Sequence, residues 1–247
     1  MSPRWTNTLL LVARERILRF DDKGRVLGEQ TVNSKDAQAC AVGIQAMLAK
    51  PQPMGLHRLR IVLAAPWSQC LLLPWQPLAQ HGDWEGYCRS RMSGQTGTHL
   101  LEGWRLSADD AGWQRNRLVE AAPESLCTSI AKACKKRGVW LTGIQSLFVA
   151  AMNVHRRAMV GGDAACVVVD EGTLHIGFRH RGDWSGCMSL PGSVSSLAFA
   201  LRDAAMVCGL SVPEQSYVIG PTSASHELHL PASQWLPLPW MARRAHA

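Results

Sequence analysis

The chain has 247 residues, 47% of them hydrophobic, a formal net charge of +7 and eight cysteines. That apolar fraction suits one or two domains with substantial cores, and the charge favours acidic partners. No apolar run approaches the roughly 18 residues that a transmembrane helix needs. No Cys-x-x-Cys pair occurs, and Met1-Ser2-Pro3-Arg4-Trp5 reads as leading into a short strand rather than as a signal peptide. The cysteines therefore read as buried free thiols of a cytoplasmic protein rather than as a disulfide framework.

Residues 8–12 and 16–20 read as two short strands, and Asp21-Asp22-Lys23-Gly24 as the turn into a third at 25–32. Ser34 is placed to cap a helix whose apolar stripe is Ala37, Cys40, Ala41, Ile44 and Leu48, stopped by Pro51 and Pro53. Residues 59–65 are apolar enough for a central strand. Residues 66–163 then intervene. They read as a strand at 69–75, a short helix at 83–92, a loop at 94–98 and strands at 104–107 and 117–120. A helix from Pro123 to Gly138, a strand at 139–144 and a helix at 146–157 follow.

A second block opens at Ala164. The run Cys166-Val167-Val168-Val169, the turn Asp170-Glu171-Gly172-Thr173 and the segment Leu174-His175-Ile176-Gly177-Phe178 predict a β-hairpin. A third strand at 185–190 precedes Pro191-Gly192-Ser193. These open a helix with Val194, Leu197, Leu201 and Ala205 on one face, ended by Gly209 and Pro213. A strand at 215–220 follows. The last 27 residues hold four prolines and little periodicity, which predicts a tail wrapping the surface.

Residues 9–24 echo 167–182 at an offset of 158, bringing Phe20 onto Phe178 and Ile61 onto Ile219. Each block reads strand, hairpin, third strand, helix, strand. A period this long marks a duplicated subdomain, since solenoid periods are roughly 20–50 residues. The expected division is a first unit at 1–65, an insertion with a return to the core at 66–163, and a second unit at 164–247.

On the Asp170–Thr173 turn, the Leu190-Pro191-Gly192-Ser193 helix start and the strand Tyr217-Val218-Ile219-Gly220, the chain resembles the actin-like ATPase superfamily. Leu73-Pro74 and the run Val139-Trp140-Leu141-Thr142-Gly143-Ile144 are in character. Within the superfamily it is most similar to the PilM and GspL cytoplasmic-domain group of type IV pilus and type II secretion assembly. The resemblance implies an α/β fold of mixed sheets, with two ribonuclease H-like β-β-β-α-β subdomains and a middle insertion. It implies a nucleotide site of which Asp170, Gly172, Thr173 and Gly220 are the remnant. The slot of the first phosphate turn holds Val12-Ala13-Arg14-Glu15, with no Asp, Gly or hydroxyl, and Glu15 repels a phosphate. Phosphoryl transfer needs held phosphates and an oriented nucleophile. The expectation is therefore a non-catalytic scaffold with no ATP or magnesium required. An ATPase or kinase of this fold is the first alternative, and a basic nucleic-acid-binding protein the second. The implied partner is a short cytoplasmic segment of an inner-membrane assembly protein, which would recruit the scaffold to that membrane face.

Five of the ten tryptophans, at 67, 75, 84, 104 and 113, lie in the insertion. They read either as core or as a groove for an apolar peptide formed by residues 66–120, with Trp84, Trp104 and Trp113 as its anchors. Lys132, Lys135, Lys136 and Arg137 suit a helix C-terminus or an anionic membrane surface. Nucleic acid would want aromatics among these basic residues, and only Trp140 is near. His226 and His229 are three apart, not the four of a zinc helix, and no Gly-x-Ser-x-Gly elbow occurs. No metal site and no catalytic residue are expected.

Overall fold

The computed structural model describes residues 4–33, 36–48, 55–78, 80–96, 102–159, 162–227 and 230–242. Strands β1 (Arg4–Val12), β2 (Arg16–Phe20) and β3 (Val26–Thr31) form an antiparallel meander. Helix α1 (Ala37–Met47) crosses to β4 (Gly55–Leu63), which lies parallel to β1. The chain then leaves the sheet through β5 (Gln69–Leu73), α2 (His81–Thr96), β6 (Trp104–Ala108) and β7 (Arg117–Pro123). It returns through α3 (Glu124–Arg137), β8 (Trp140–Ser146) and α4 (Leu147–His155). The first sheet runs β3-β2-β1-β4-β8, and a small sheet β5-β7-β6 stands beside it.

The second unit repeats the plan. Strands β9 (Ala164–Asp170), β10 (Thr173–His180) and β11 (Asp183–Pro191) form the meander, and α5 (Leu197–Val207) crosses to β12 (Gln215–Gly220). Strand β13 (Ser233–Pro237) and the short helix α6 (Pro239–Ala242) finish the described chain. The order β11-β10-β9-β12-β13 matches that of the first sheet, and β4 and β12 each lie parallel to the first strand of their meander.

The central strands are apolar on both faces because both are covered. Leu10, Val12, Ile17, Ile61 and Leu63 pack against α1 and α3. Val167, Leu174, Ile176 and Phe178 pack against α5. The opposite faces, with Leu9, Leu11, Cys166 and Val168, meet in one cluster filled by Phe148 and Ala151 of α4.

Pairing corrects the repeat offset. Val12 pairs with Ile17 as Val169 pairs with Leu174, so both strands are related by 157 residues (169 − 12, 174 − 17), not 158. A one-residue slip turns every side chain to the other sheet face. Phe20 accordingly points into the cluster between the sheets and Phe178 under α5, so the two are not equivalents. Ile61 corresponds to Val218.

Two further expectations change. Asp36 caps α1, its carboxylate accepting from the amides of Gln38 and Ala39, while Ser34 lies outside the described residues. The prolines after Gly220 do not make a plain tail. Residues 233–237 add the fifth strand of the second sheet, and Trp240 stacks on Phe20 at 5.2 Å. An edge strand needs partners along one side only, and that pairing comes from β12 rather than from local periodicity.

All eight cysteines are free. Burial pushes Cys40, Cys70 and Cys166 up to about 12, so they stay thiols and are inert as nucleophiles. Among the described residues no helix is long and apolar enough to cross a membrane.

Candidate functional site

The β1–β2 and β9–β10 turns face each other across the junction of the two units. With the register at 157, Asp170-Glu171-Gly172-Thr173 corresponds to Ala13-Arg14-Glu15-Arg16, one residue later than the sequence comparison places it. The first turn still has no Asp, Gly or hydroxyl. It is closed by Ala13 N–H donating to Arg16 O at 2.9 Å, and the Trp67 indole pins it by donating to Ala13 O at 3.0 Å. Gly172 sits at φ +72°, the left-handed conformation a tight turn requires.

The protein's own groups occupy both turns. Arg16 donates from Nε to Glu171 Oε1 at 2.9 Å and from its terminal nitrogen to the same oxygen, which raises the arginine's pKa. The Asp170 carboxylate accepts the Ala65 amide of the first unit at 2.8 Å and the Glu171 amide at 2.7 Å. Its side chain is only 7% exposed. His175 Nδ1 lies 2.8 Å from Ser189 Oγ. Its Nε2 is buried without a hydrogen bond, 3.6 Å from Asp170. Thr173 opens β10 beside Pro191. Gly220 lies under the Trp235 ring, and a Cβ there would meet that ring at 2.9 Å. Glycine at 220 thus admits an indole of the protein itself.

Beneath the turns lies a cavity of about 430 Å³, walled by Leu11, Leu18, Phe20, Leu238 and Trp240 among others. Phosphates are held by backbone N–H groups and cations, and this wall is mostly hydrocarbon.

A second concavity, about 280 Å³, lies between β8 and the small sheet. β8 is the edge of the first sheet, and its residues 141–146 form one wall. Arg105, Ser107, Glu120 and Ala121 form part of the other. Glu120 Oε1 accepts the Ser146 amide at 2.6 Å, capping one end of the free edge. Burial holds the Glu120 carboxyl above its usual range, with the Ser146 hydrogen bonds opposing. A raised folded pKa means that the protein binds this proton more tightly than the unfolded chain does. Stability is then greatest below the unfolded pKa and falls as pH rises through the folded value. Glu120→Gln keeps an acceptor for Ser146 and removes the buried charge. The variant is therefore expected to melt higher than wild type at pH 7, with the gain vanishing towards pH 4, as thermal melts across that range would show. An equal gain at both ends would remove the charge from the explanation.

None of the three proposed tryptophan anchors lines this groove. Trp84 is 3% exposed in the core of the small-sheet unit, beneath the Arg117 guanidinium at 4.7 Å. It is packing rather than a contact surface, because α2 lays it against Leu73 and Val119. Trp104 is half-buried against the same cluster. Trp113 is 71% exposed, edge-on to Trp75 at the β6–β7 hairpin. Sequence reasoning passed over Glu120, yet alternation in β7 sets it on the same face as buried Leu118, a usable signal. Lys132, Lys135 and Lys136 are exposed on the final turns of α3, before the left-handed Gly138 cap. Among the described residues no cluster of three metal-ligating side chains occurs, and His229 lies outside them.

No protein-family profile matches the sequence, and no curated protein matches it. Solved structures do. A Bacteroides thetaiotaomicron protein with actin-like ATPase fold and unknown function superposes with a TM-score of 0.56 at 8% identity, over 87% of this chain and 81% of that one. The cytoplasmic domain of EpsL, an inner-membrane component of the Vibrio cholerae type II secretion system, gives 0.54 at 10% identity, over 98% and 94%. A chain of the PilM–PilN type IV pilus biogenesis complex gives 0.56 at 14% identity, over 96% and 89%. The fold is thus actin-like, as the resemblance implied.

Proposed function

We propose that this actin-like protein is a non-catalytic scaffold that holds a short cytoplasmic segment of an inner-membrane assembly protein. The observation that carries the reading is the self-closure of the two turns. Arg16 and Glu171 bind each other, and Asp170 is spent on two amides, one of them from the opposite unit. A nucleotide would have to break those contacts and then lie against hydrocarbon. The groove beside β8 supports the second half of the reading. A sheet edge offers unpaired N–H and C=O groups on which an extended peptide adds as a strand. The likeness to EpsL and to a PilM–PilN complex points to pilus or secretion assembly as the setting. The exposed lysines of α3 suit the anionic membrane surface to which such a partner would bring the chain.

Thermal melts test both halves. Synthetic cytoplasmic tails of inner-membrane proteins encoded beside this chain are the probes, with ATP and magnesium in parallel. A tail at about 100 times its dissociation constant adds about 2.7 kcal/mol to stability, whereas ATP leaves the midpoint unchanged. Gly143 lines the groove, and a Cβ there meets nothing within 4 Å, so Gly143→Arg folds and blocks the tail. A midpoint raised by ATP, or a tail that binds Gly143→Arg as well as wild type, overturns the corresponding half.

A further inference from the structure

The charge of the chain is unevenly placed. Residues 37–82 and 125–162 contain no Asp or Glu, and they hold three and six of the Lys and Arg residues. The net charge of +7 therefore comes wholly from these two stretches, since the rest of the chain sums to −2 (7 − 9). The fold brings the stretches together. The first supplies α1 and β4, the second α3, β8 and α4; α1 and α3 share one core cluster, and β4 pairs with β8. These two strands run parallel, so both begin at the same end of the first sheet. Helix α3 ends there too, because only the left-handed Gly138 and Val139 separate it from β8. On its last turns Lys132, Lys135 and Lys136 are exposed and form no ion pair among the described residues. Arg58 and Trp140 are register partners near the starts of the two strands, both exposed, Trp140 by 60%. A favourable place at a helix C-terminus accounts for the lysines alone. It accounts neither for the missing acidic residues nor for an indole left in water beside the bases.

We infer that this end of the first sheet docks directly on an anionic phospholipid bilayer, with no partner protein needed for the contact. Lysine stems lie along the headgroup region while their ammonium groups reach the phosphates, and an indole seats at the boundary of headgroup and acyl chain. The missing acids matter as much as the bases, because a carboxylate within a Debye length of about 8–10 Å would offset a lysine. Nucleic acid is the poorer fit. A strand is held by a groove with successive aromatic platforms, and here a single indole stands beside the bases. Three of the four bases named are lysines, point charges rather than the planar forks that read base edges and paired phosphate oxygens. The contact goes beyond the peptide groove and also orients it. Residues 141–146, which wall that groove, continue β8 from Trp140. With Trp140 at the headgroups, the rise of a strand sets Ser146 about 20 Å further along. A tail leaving the bilayer then enters the groove at its near end.

Co-sedimentation of the full chain with vesicles tests the inference. No tail peptide is present, so this outcome and that of the tail-binding melts are independent. The probes are vesicles of phosphatidylcholine with and without phosphatidylglycerol. Wild type is expected to bind only the anionic vesicles and to be released at high salt. Lys135→Ala with Lys136→Ala weakens binding roughly twentyfold or more, since each base at such a surface is worth about a factor of five. Arg115→Ala with Arg202→Ala removes the same charge from exposed positions elsewhere and changes binding by less than about twofold. Trp140→Ala weakens binding about tenfold and leaves its salt dependence unchanged, because an indole carries no charge. Unchanged melting midpoints confirm that the variants are folded. A wild type that ignores anionic vesicles overturns the inference. So does a lysine pair that costs no more than the arginine pair, which would leave net charge as the only cause, or a Trp140→Ala protein that binds like wild type. Duplex DNA bound more tightly than the vesicles at the same salt, and lost in the same lysine variant, assigns the face to nucleic acid and overturns it as well.

Discussion

Replacing Phe148 by alanine is expected to lower the unfolding free energy by about 3–5 kcal/mol, the usual cost of emptying a buried aromatic site. Phe148 is 1% exposed and stands on α4 in the cluster shared by both sheets. Its ring lies 5.6 Å from that of Trp184 and fills the space left by Gly177, where a Cβ would meet it at 2.6 Å. The cavity has walls from both units and cannot close by the movement of one side chain. At this chain length the loss corresponds to a melting midpoint lowered by roughly 6–20 °C. Phe148→Leu, which keeps most of the volume, should cost less than about 1.5 kcal/mol. Equilibrium denaturation of the two variants measures both numbers. An alanine variant losing under about 1 kcal/mol would mean that the two sheets collapse onto the gap and that the cluster does not hold them apart.

Asp170→Ala carries the second large effect, and its sign bears on function. The carboxylate accepts amides from Ala65 and Glu171 and is buried, so its removal strands the Ala65 N–H at the junction of the units. The expected loss is about 2–3 kcal/mol, the scale of a hydrogen bond to a charged group together with a donor left unpaired. Asp170→Asn keeps one acceptor and should fall between the variant and wild type. A carboxylate kept for metal and phosphate chemistry behaves in the opposite way, since stability is commonly given up for such a site and returns when the charge is removed. Urea denaturation at pH 7 separates the two. A more stable Asp170→Ala protein would return the residue to a working nucleotide site and count against the scaffold reading.

The sequence by itself determined the local elements of this protein. Gly138 ends α3 and Gly172 turns the β9–β10 hairpin because each sits at positive φ, a property of the residue and its neighbours alone. Apolar runs at 9–12 and 166–169 announced central strands, and the recurrence of strand, hairpin, strand, helix and strand announced the duplication. Only the tertiary structure decided the faces and the meetings. The one-residue difference between 158 and 157 is invisible in runs that are apolar on both sides, because Leu9-Leu10-Leu11-Val12 suits either register until α1 and α4 claim opposite faces. Trp84 is core because α2 brings it under Arg117, 33 residues away along the chain. Strand β13 exists because β12 offers it a ladder. Arg16 meets Glu171 across 155 residues of sequence, and no local pattern encodes an ion pair whose two halves belong to different units. Short-range sterics and hydrogen bonding settle what each segment is, whereas the burial of shared apolar faces settles which segments touch.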